Sequence, residues 1–189
     1  MENTHYFWMI PSSYGEIGLV WTGSGKKRQI QQILLSRLQK SLEEDMRELY
    51  PRAIPCTGED LPGLVRKIED YLAGRNVSFS PADLGEKGMG EKKNFYGEIL
   101  CRTMAIPRGM VDSYGGLAAK AGRPQAARAV GTAMATNRFP LVIPCHRLVR
   151  ADGSIGQFGG GPPMKKGLLT MEGVLFDSRG KVLADSFYR

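Results

Sequence analysis

The spacing of apolar residues in the first half of the chain predicts a β-hairpin followed by a long helix. Residues 4–10 and 14–22 are two β-leaning runs separated by a short polar turn. From residue 30 to residue 49 the apolar positions recur every three or four residues with charges between them, which is the period of an amphipathic helix. Pro51 would end this helix, because proline lacks the amide hydrogen that a further helical turn needs.

The remainder of this half predicts a second helix over residues 59–73 and then a polar, glycine-containing stretch, 75–91, that is typical of an ordered linker. We find no cluster of reactive side chains in this half. The pattern therefore favours two domains. Residues 1–91 would form an α/β scaffold with its linker, and residues 92–189 would form the functional domain.

The second half predicts a helix-turn-helix. One helix is expected over residues 95–104, and two shorter ones are expected over residues 114–121 and 124–135, joined by a turn that contains glycine. A buried strand is predicted around residues 140–149, and a hairpin turn would then lead into a glycine-rich wing over residues 155–163. The predicted fold class is α/β (α+β): a small sheet-plus-helix domain followed by a winged helix-turn-helix-like domain.

The second helix of this pair consists almost entirely of small residues. One face would pack against the core, but alanine and glycine occupy nearly every position around the helix. A helix that reads bases in the major groove carries long hydrogen-bonding side chains, whereas a slim helix suits the narrow minor groove, where base readout is degenerate. Arg128 is the exception, and its planar guanidinium could fill the space left by a base rotated out of a duplex.

Charge supports a polyanionic partner for the second half. Residues 1–91 hold 11 basic and 13 acidic residues, whereas residues 92–189 hold 15 basic and 6 acidic ones, so the positive excess of +7 lies entirely in the second half. Nucleic acid is the commonest partner of such a surface.

Composition excludes several other classes of protein. No apolar run approaches the roughly 20 residues needed to cross a bilayer, and the N-terminus shows no signal-peptide pattern. The three cysteines form no CxxC, and with two histidines no zinc site can be assembled. We expect no metal, and we expect a reducing compartment: the cytoplasm, or the nucleus if the organism is a eukaryote.

The most informative motif is Ile143-Pro144-Cys145-His146-Arg147, which places a cysteine directly beside a histidine. A thiol becomes a strong nucleophile when a base or a positive field stabilises its thiolate. An isolated Cys-His dipeptide is more often an inert buried cysteine beside a surface histidine, so the surrounding residues must decide between the two interpretations.

Those surroundings resemble the O6-alkylguanine-DNA alkyltransferases, also called methylated-DNA–protein-cysteine methyltransferases. The resemblance runs from about residue 95 to residue 173 and does not strongly cover the first ninety residues. Its landmarks are Ile106-Pro107-Arg108-Gly109, Ser113-Tyr114, Ala126-Ala127-Arg128-Ala129-Val130-Gly131, Asn137, Pro140, Ile143-Pro144-Cys145-His146-Arg147, Gly159-Gly160 and Leu168-Leu169-Thr170-Met171-Glu172-Gly173.

The resemblance implies that Cys145 takes an alkyl group from guanine O6 in duplex DNA, once per molecule and without a cofactor. His146 would act as base through a water molecule, and Glu172 would orient it. Tyr114 would donate to N3 of the extruded guanine, and Asn137 would brace the backbone of the active-site turn.

The resemblance also implies a DNA surface, a base pocket and a monomer bound in the minor groove. The expected DNA-binding residues are Arg128, Ala126, Ala127, Ala129, Gly131, Arg123 and Ser113. The expected pocket residues are Tyr114, Val149, Gly156, Phe158, Gly159 and Gly160. Family members often have tyrosine in place of Phe158 and some have serine in place of Gly159, and both differences would bear on the choice among alkyl groups.

Two other functions compete with this interpretation. A non-catalytic lesion-binding relative would flip the base without repairing it, but such proteins replace the reactive cysteine, usually by tryptophan. A cysteine hydrolase could use Cys145 and His146 on an unrelated substrate and would turn over repeatedly.

Overall fold

The chain divides into two units, residues 1–88 and 89–189. The computed structural model describes residues 4–37, 39–85 and 94–188. The division falls three residues before the expected boundary between residues 91 and 92, within a stretch that lies outside the described residues.

The first unit is a four-stranded sheet with two helices. The predicted hairpin is confirmed, since strands β1 (His5–Ile10) and β2 (Ile17–Thr22) pair antiparallel. The sheet order is β3-β2-β1-β4. The other elements are strands β3 (Gln29–Leu35) and β4 (Ile54–Pro55) and helices α1 (Leu42–Leu49) and α2 (Pro62–Leu72).

The long helix predicted over residues 30–49 is wrong. Strand β3 occupies its first part, and α1 begins only after Ser41. Every residue of β2 is buried, so its second edge needs a hydrogen-bonded partner, and β3 supplies it. Ser41 caps α1 by accepting the Glu44 N–H, while the Glu44 carboxylate accepts the Ser41 N–H. This Ser-x-x-Glu capping box marks the true start of the helix.

Helix α2 lies within the predicted 59–73, and the stretch after it is anchored to the same unit. A 3₁₀ turn at Pro81–Leu84 is held by a hydrogen bond from Gln29 Nε2 to the Leu84 carbonyl (2.7 Å) and by an ion pair between Lys67 and Asp83 (2.7 Å). Residues 86–91 of the predicted linker lie outside the described residues.

The second unit contains the predicted helix-turn-helix. Helices α4 (Tyr114–Lys120) and α5 (Ala127–Ala135) pack against each other and against α3 (Phe95–Met104). Gly122, at φ +71°, ends the turn after α4 in the left-handed region that favours glycine. Helix α5 starts three residues later than predicted, because residues 123–126 form a turn in which the Ala126 N–H donates to the Arg123 carbonyl.

The strand predicted around residues 140–149 is reduced to its last two residues. The segment around Cys145 is a 3₁₀ turn, Cys145–Arg147, and only strand β6 (Leu148–Val149) follows it, paired in parallel with β5 (Asp112–Ser113). The predicted wing over residues 155–163 is also wrong, because it leads without a strand into helix α6 (Gly161–Met171).

Two consecutive prolines open α6, where their missing amide hydrogens are not needed. The turn at residues 150–154 is confirmed by a bond from the Arg150 N–H to the Ser154 carbonyl (2.8 Å). This turn contacts the segment around Val182, because the Val182 N–H donates to the Gly153 carbonyl (2.9 Å). Among the described residues no helix is long and apolar enough to span a membrane.

Candidate active site

Cys145 begins a tight turn inside the second unit. Its N–H donates to the Ile143 carbonyl at 2.7 Å, and the Arg147 N–H donates to the Pro144 carbonyl at 2.9 Å. The chain enters this segment through Leu141 at φ +71°, a conformation that is unfavourable for a leucine and is held by the surrounding structure. Cys145 is 9% exposed, so the turn presents its thiol at the edge of the core and not on an open surface.

Asn137 ties the end of α5 to this turn. Its Nδ2 donates to the Ile143 carbonyl at 3.0 Å, and its Oδ1 accepts the Phe139 N–H at 3.0 Å. The same side chain also bonds to Cys145. One amide therefore links the helix-turn-helix to the cysteine that follows it.

The electrostatic environment of Cys145 contains opposing effects. Burial raises the pKa of the thiol. The Asn137 hydrogen bond, the positive charge of Lys165 and the N–H groups of Cys145 and His146 act in the opposite direction. Because burial outweighs them, the resting group is a thiol, and a base must take its proton before it can attack.

Lys165 is a site residue that the sequence reasoning missed. It is fully buried on α6, and its Nζ donates to the main-chain carbonyls of Leu148 (2.6 Å) and Gln157 (3.3 Å). Burial lowers its pKa to about 8, and ionisation of Cys145 to the thiolate would act to raise it. Helical spacing relative to Leu168 and Glu172 could have revealed it, but the predicted wing obscured the start of α6.

His146 is fully buried, and its Nε2 lies 3.1 Å from Glu172 Oε1. Arg147 grips the same carboxylate: its Nε donates to Oε2 at 2.9 Å and one terminal nitrogen donates to Oε1 at 2.7 Å. Burial opposes ionisation of Glu172, but the hydrogen bonds from His146 and Arg147 outweigh it and hold the pKa of the carboxyl well below its usual range. Glu172 is therefore an anion.

The proton on His146 can be assigned from these partners. Burial lowers the pKa of His146; Glu172 acts to raise it, and the cations of Arg147 and Lys165 act with burial. The imidazole is thus neutral near pH 7. An ionised carboxylate only accepts hydrogen bonds, so Nε2 carries the hydrogen and Nδ1 holds the lone pair that could take a proton.

Tyr114 lies close enough to Cys145 to interact with it electrostatically, and Gly156 lies beside the Tyr114 side chain. A Cβ built on Gly156 would stand 3.7 Å from the Tyr114 hydroxyl, and the Lys165 ammonium lies 6.0 Å from the Tyr114 ring centroid. Burial raises the pKa of Tyr114, and a thiolate at Cys145 would add to the effect, so the Tyr114 hydroxyl remains a hydrogen-bond donor. The Phe158 ring meets His146 edge-on at 6.1 Å between centroids.

Three predicted residues take structural positions. Val149 is fully buried in the hydrophobic core with Val111 and Leu169. Gly160 is buried against Met164 with no room for a Cβ, whereas its neighbour Gly159 is exposed. Ser113 uses its hydroxyl as the cap of α4, accepting the Gly116 N–H at 2.8 Å.

The outer face of α5 is exposed among the described residues of the second unit. Val130, Ala133 and Met134 form its buried face. Arg128 and Ala129 are exposed, and Ala126, Ala127 and Gly131 are partly exposed. A Cβ on Gly131 would meet nothing within 4 Å, so packing within the protein does not require a glycine there. Arg123 is exposed, with its guanidinium 4.8 Å from the centroid of the Phe95 ring.

Comparison with known proteins identifies the family. Residues 94–174 match the family described as 6-O-methylguanine DNA methyltransferase, DNA binding domain. The methylated-DNA–protein-cysteine methyltransferase of Methanothermobacter thermautotrophicus is 35% identical over 164 residues, covering 87% of this chain and 83% of that protein. The chain belongs to the methylated-DNA–protein-cysteine methyltransferase family. The resemblance seen in the motifs is thereby confirmed.

Other members of this methyltransferase family align with this chain over a smaller share of their length. The Salmonella typhimurium protein is 42% identical over 113 residues, covering 60% of this chain and 64% of its own length. The human protein is 44% identical over 84 residues, which cover 44% of this chain and 41% of the human one.

The fold extends beyond the matched motif region. The O6-methylguanine methyltransferase of Mycobacterium tuberculosis has a TM-score of 0.71 at 27% identity, covering 90% of this chain and 93% of that structure. The same enzyme in complex with DNA gives a TM-score of 0.69 at 28% identity, covering 88% and 92%. The predicted fold class is confirmed. Among the described residues, no group of three or more histidine, cysteine or acidic side chains is placed to hold a metal ion.

Proposed function

We propose that this protein repairs DNA by transferring the alkyl group of an O6-alkylguanine in a duplex to the sulfur of Cys145, once per molecule. The observation that carries the proposal is the buried Cys145 followed by a neutral His146, whose Nε2 faces an ionised Glu172 at 3.1 Å. This is the relation of nucleophile, base and orienting acid that activates weak nucleophiles in general. The Mycobacterium tuberculosis enzyme solved with DNA supports the choice of partner.

The chemical step balances without a cofactor. His146 Nδ1 takes the thiol proton through a water molecule, and the thiolate attacks the alkyl carbon from the side opposite O6. The new S–C bond forms as the C–O6 bond breaks, and the electron pair leaves with the guanine. Tyr114 donates to N3 of the departing guanine, where negative charge develops. Overall, the thiol loses one proton and the released guanine gains one. Water does not hydrolyse the resulting thioether, because an alkyl thiolate is a poor leaving group, so the protein acts once.

The DNA side of the proposal rests on α5. Its exposed small residues would enter the minor groove, and Arg128 would occupy the place of the rotated guanine. Glycine at position 131, where the protein itself leaves open space, would allow the sugar-phosphate backbone to approach the helix closely. The excess of basic residues in 92–189 would add phosphate contacts, and a single protein molecule would suffice.

Intact mass spectrometry after incubation with a duplex containing one O6-methylguanine tests the proposal. We expect the mass of one methylene group to be added, with peptide mapping placing it on Cys145. Cys145→Ala should bind the same duplex and gain nothing, and an unmodified duplex should leave the mass unchanged. Tight binding without a mass gain would instead identify a lesion-binding protein. Repeated turnover of an ester substrate would identify a hydrolase.

A further inference from the structure

Arg147 is a buried charged residue that takes no part in the transfer step described above. It is the last residue of the Cys145–Arg147 turn. Two of its nitrogens donate to the two oxygens of Glu172, at 2.9 and 2.7 Å, and the remaining terminal nitrogen donates to the Ile106 carbonyl at 2.7 Å. The whole guanidinium is thus committed to fixed acceptors.

These bonds join three separate parts of the second unit. Glu172 stands at the end of α6, and Ile106 lies just beyond the end of α3. The planar fork of arginine matches both oxygens of a carboxylate at once, so it fixes the plane of the carboxylate as well as its position. Oε1 of the same carboxylate is also the hydrogen-bond partner of His146.

The charges around His146 indicate that the Arg147 guanidinium also influences the protonation of His146. The groups that face the imidazole are Glu172 and Lys165 on or beside α6, Cys145 and Arg147 in its own turn, and the apolar ring of Phe158. If Glu172 had no other cation, a buried imidazolium would be its natural counter-ion. With Arg147 already neutralising the carboxylate, a second buried cation on His146 is unfavourable.

We infer that Arg147 is a positioning residue for the alkyl transfer: it orients the Glu172 carboxylate and keeps it ionised, and its charge acts together with burial to keep His146 neutral. His146 Nδ1 then remains able to accept the thiol proton near pH 7. This inference rests on the proposed function, because it assigns the base of that reaction its protonation state.

The test compares the pH dependence of single-turnover methyl transfer in the wild type, Arg147→Lys and Arg147→Met. The rate should fall on the acid side as His146 becomes protonated. In Arg147→Met the midpoint of that fall should move upward by about one pH unit or more, the usual effect of removing a neighbouring charge. Arg147→Lys retains the charge but not the fork, so its midpoint should stay near that of the wild type with a lower plateau.

Arg179→Met is a matched control, because it removes an exposed positive charge from the same unit. Its midpoint should not move. A purely structural role for Arg147 predicts a lower rate at every pH with an unchanged midpoint, and that result would overturn the inference.

A second measurement needs no variant that might unfold. The chain has two histidines, so nitrogen NMR of the full-length wild type can follow His146 with His5 as an internal reference. We expect a neutral His146 with its hydrogen on Nε2 at pH 7. An imidazolium there would refute the inference. This result is independent of transfer, so a wild type that transfers no methyl group would defeat the proposed function, whereas an imidazolium in this titration would defeat the inference about Arg147.

Discussion

Replacing Lys165 with methionine should raise the stability of the second unit relative to wild type in a pH-dependent way, while slowing methyl transfer. The ammonium of Lys165 is fully buried, and its two hydrogen-bond acceptors are neutral carbonyls. Methionine has a similar unbranched shape and carries no charge, so it removes the charge with little change in packing. Transfer should slow, because the positive charge that lowers the pKa of the Cys145 thiol is lost.

The size of the stability effect follows from the pKa. A fall from 10.5 to about 8 corresponds to a cost of about 3 kcal/mol for holding the charged group in the fold. Below pH 8 the lysine is charged in both the folded and unfolded states, and the full cost applies. Between pH 8 and 10.5 the folded protein has released the proton and the unfolded chain has not. The free energy of unfolding of the wild type therefore rises with pH by about 2 kcal/mol between pH 7 and 9.5 from this group.

Losing the donor to the Leu148 and Gln157 carbonyls offsets part of the gain in Lys165→Met, by about 1–3 kcal/mol, at every pH. The prediction that does not depend on this offset is the change with pH in the difference between the free energies of unfolding of the variant and the wild type. The advantage of the variant over wild type should shrink by about 2 kcal/mol between pH 7 and 9.5.

Trp8 and Trp21 both lie in the first unit and do not report on the second. The assay is therefore native-state hydrogen exchange of α6 peptides in the full chain. A difference between variant and wild type that stays constant with pH would refute the buried-cation argument.

Four further changes test other parts of the site. Arg128→Ala should slow alkyl transfer from a duplex far more than transfer from a free-base analogue, because base extrusion is lost while the Cys145 thiol is unchanged. An equal loss of rate on both substrates would contradict the assignment of Arg128 to the DNA surface. Gly131→Leu should not lower the thermal stability of the protein, since a side chain there meets open space and leucine favours a helix more than glycine does, yet it should weaken binding to duplex DNA in a fluorescence titration. Asn137→Ala should lower the free energy of unfolding by about 1–3 kcal/mol, measured by hydrogen exchange at α5, because it leaves the Phe139 N–H without its partner and removes one of the two donors to the Ile143 carbonyl. Duplex affinity should fall steeply with salt, and a flat response would mean that the basic residues of 92–189 face away from DNA.

The sequence alone determined the features that depend on neighbouring residues. The β1–β2 hairpin and the α4–α5 pair were predictable because their apolar period and turn residues are local signals. The adjacency of Cys145 and His146 is fixed by covalent order, and the family motif located Glu172 as their companion.

Tertiary structure decided the features whose cause lies far along the chain. The apolar spacing of residues 29–35 fits a helix as well as a strand, and only the unsatisfied edge of β2 selects the strand. The segment around Cys145 forms a turn where a strand was predicted. Its backbone is fixed by the hydrogen bond from Asn137 and by the ion pair of Arg147 with Glu172, 25 residues away.

Lys165 shows the same limit most clearly. Lys166 beside it is the same residue type, and helical spacing relative to Leu168 can separate the two only once the start of α6 is known. Helix α6 turns Lys165 inward against Leu148 and Lys166 toward solvent. A charge acquires a shifted pKa only from what surrounds it, and those surroundings are assembled by folding. The sequence therefore determined which reactive groups the protein has, and the tertiary structure decided which of them are charged, buried and within reach of one another.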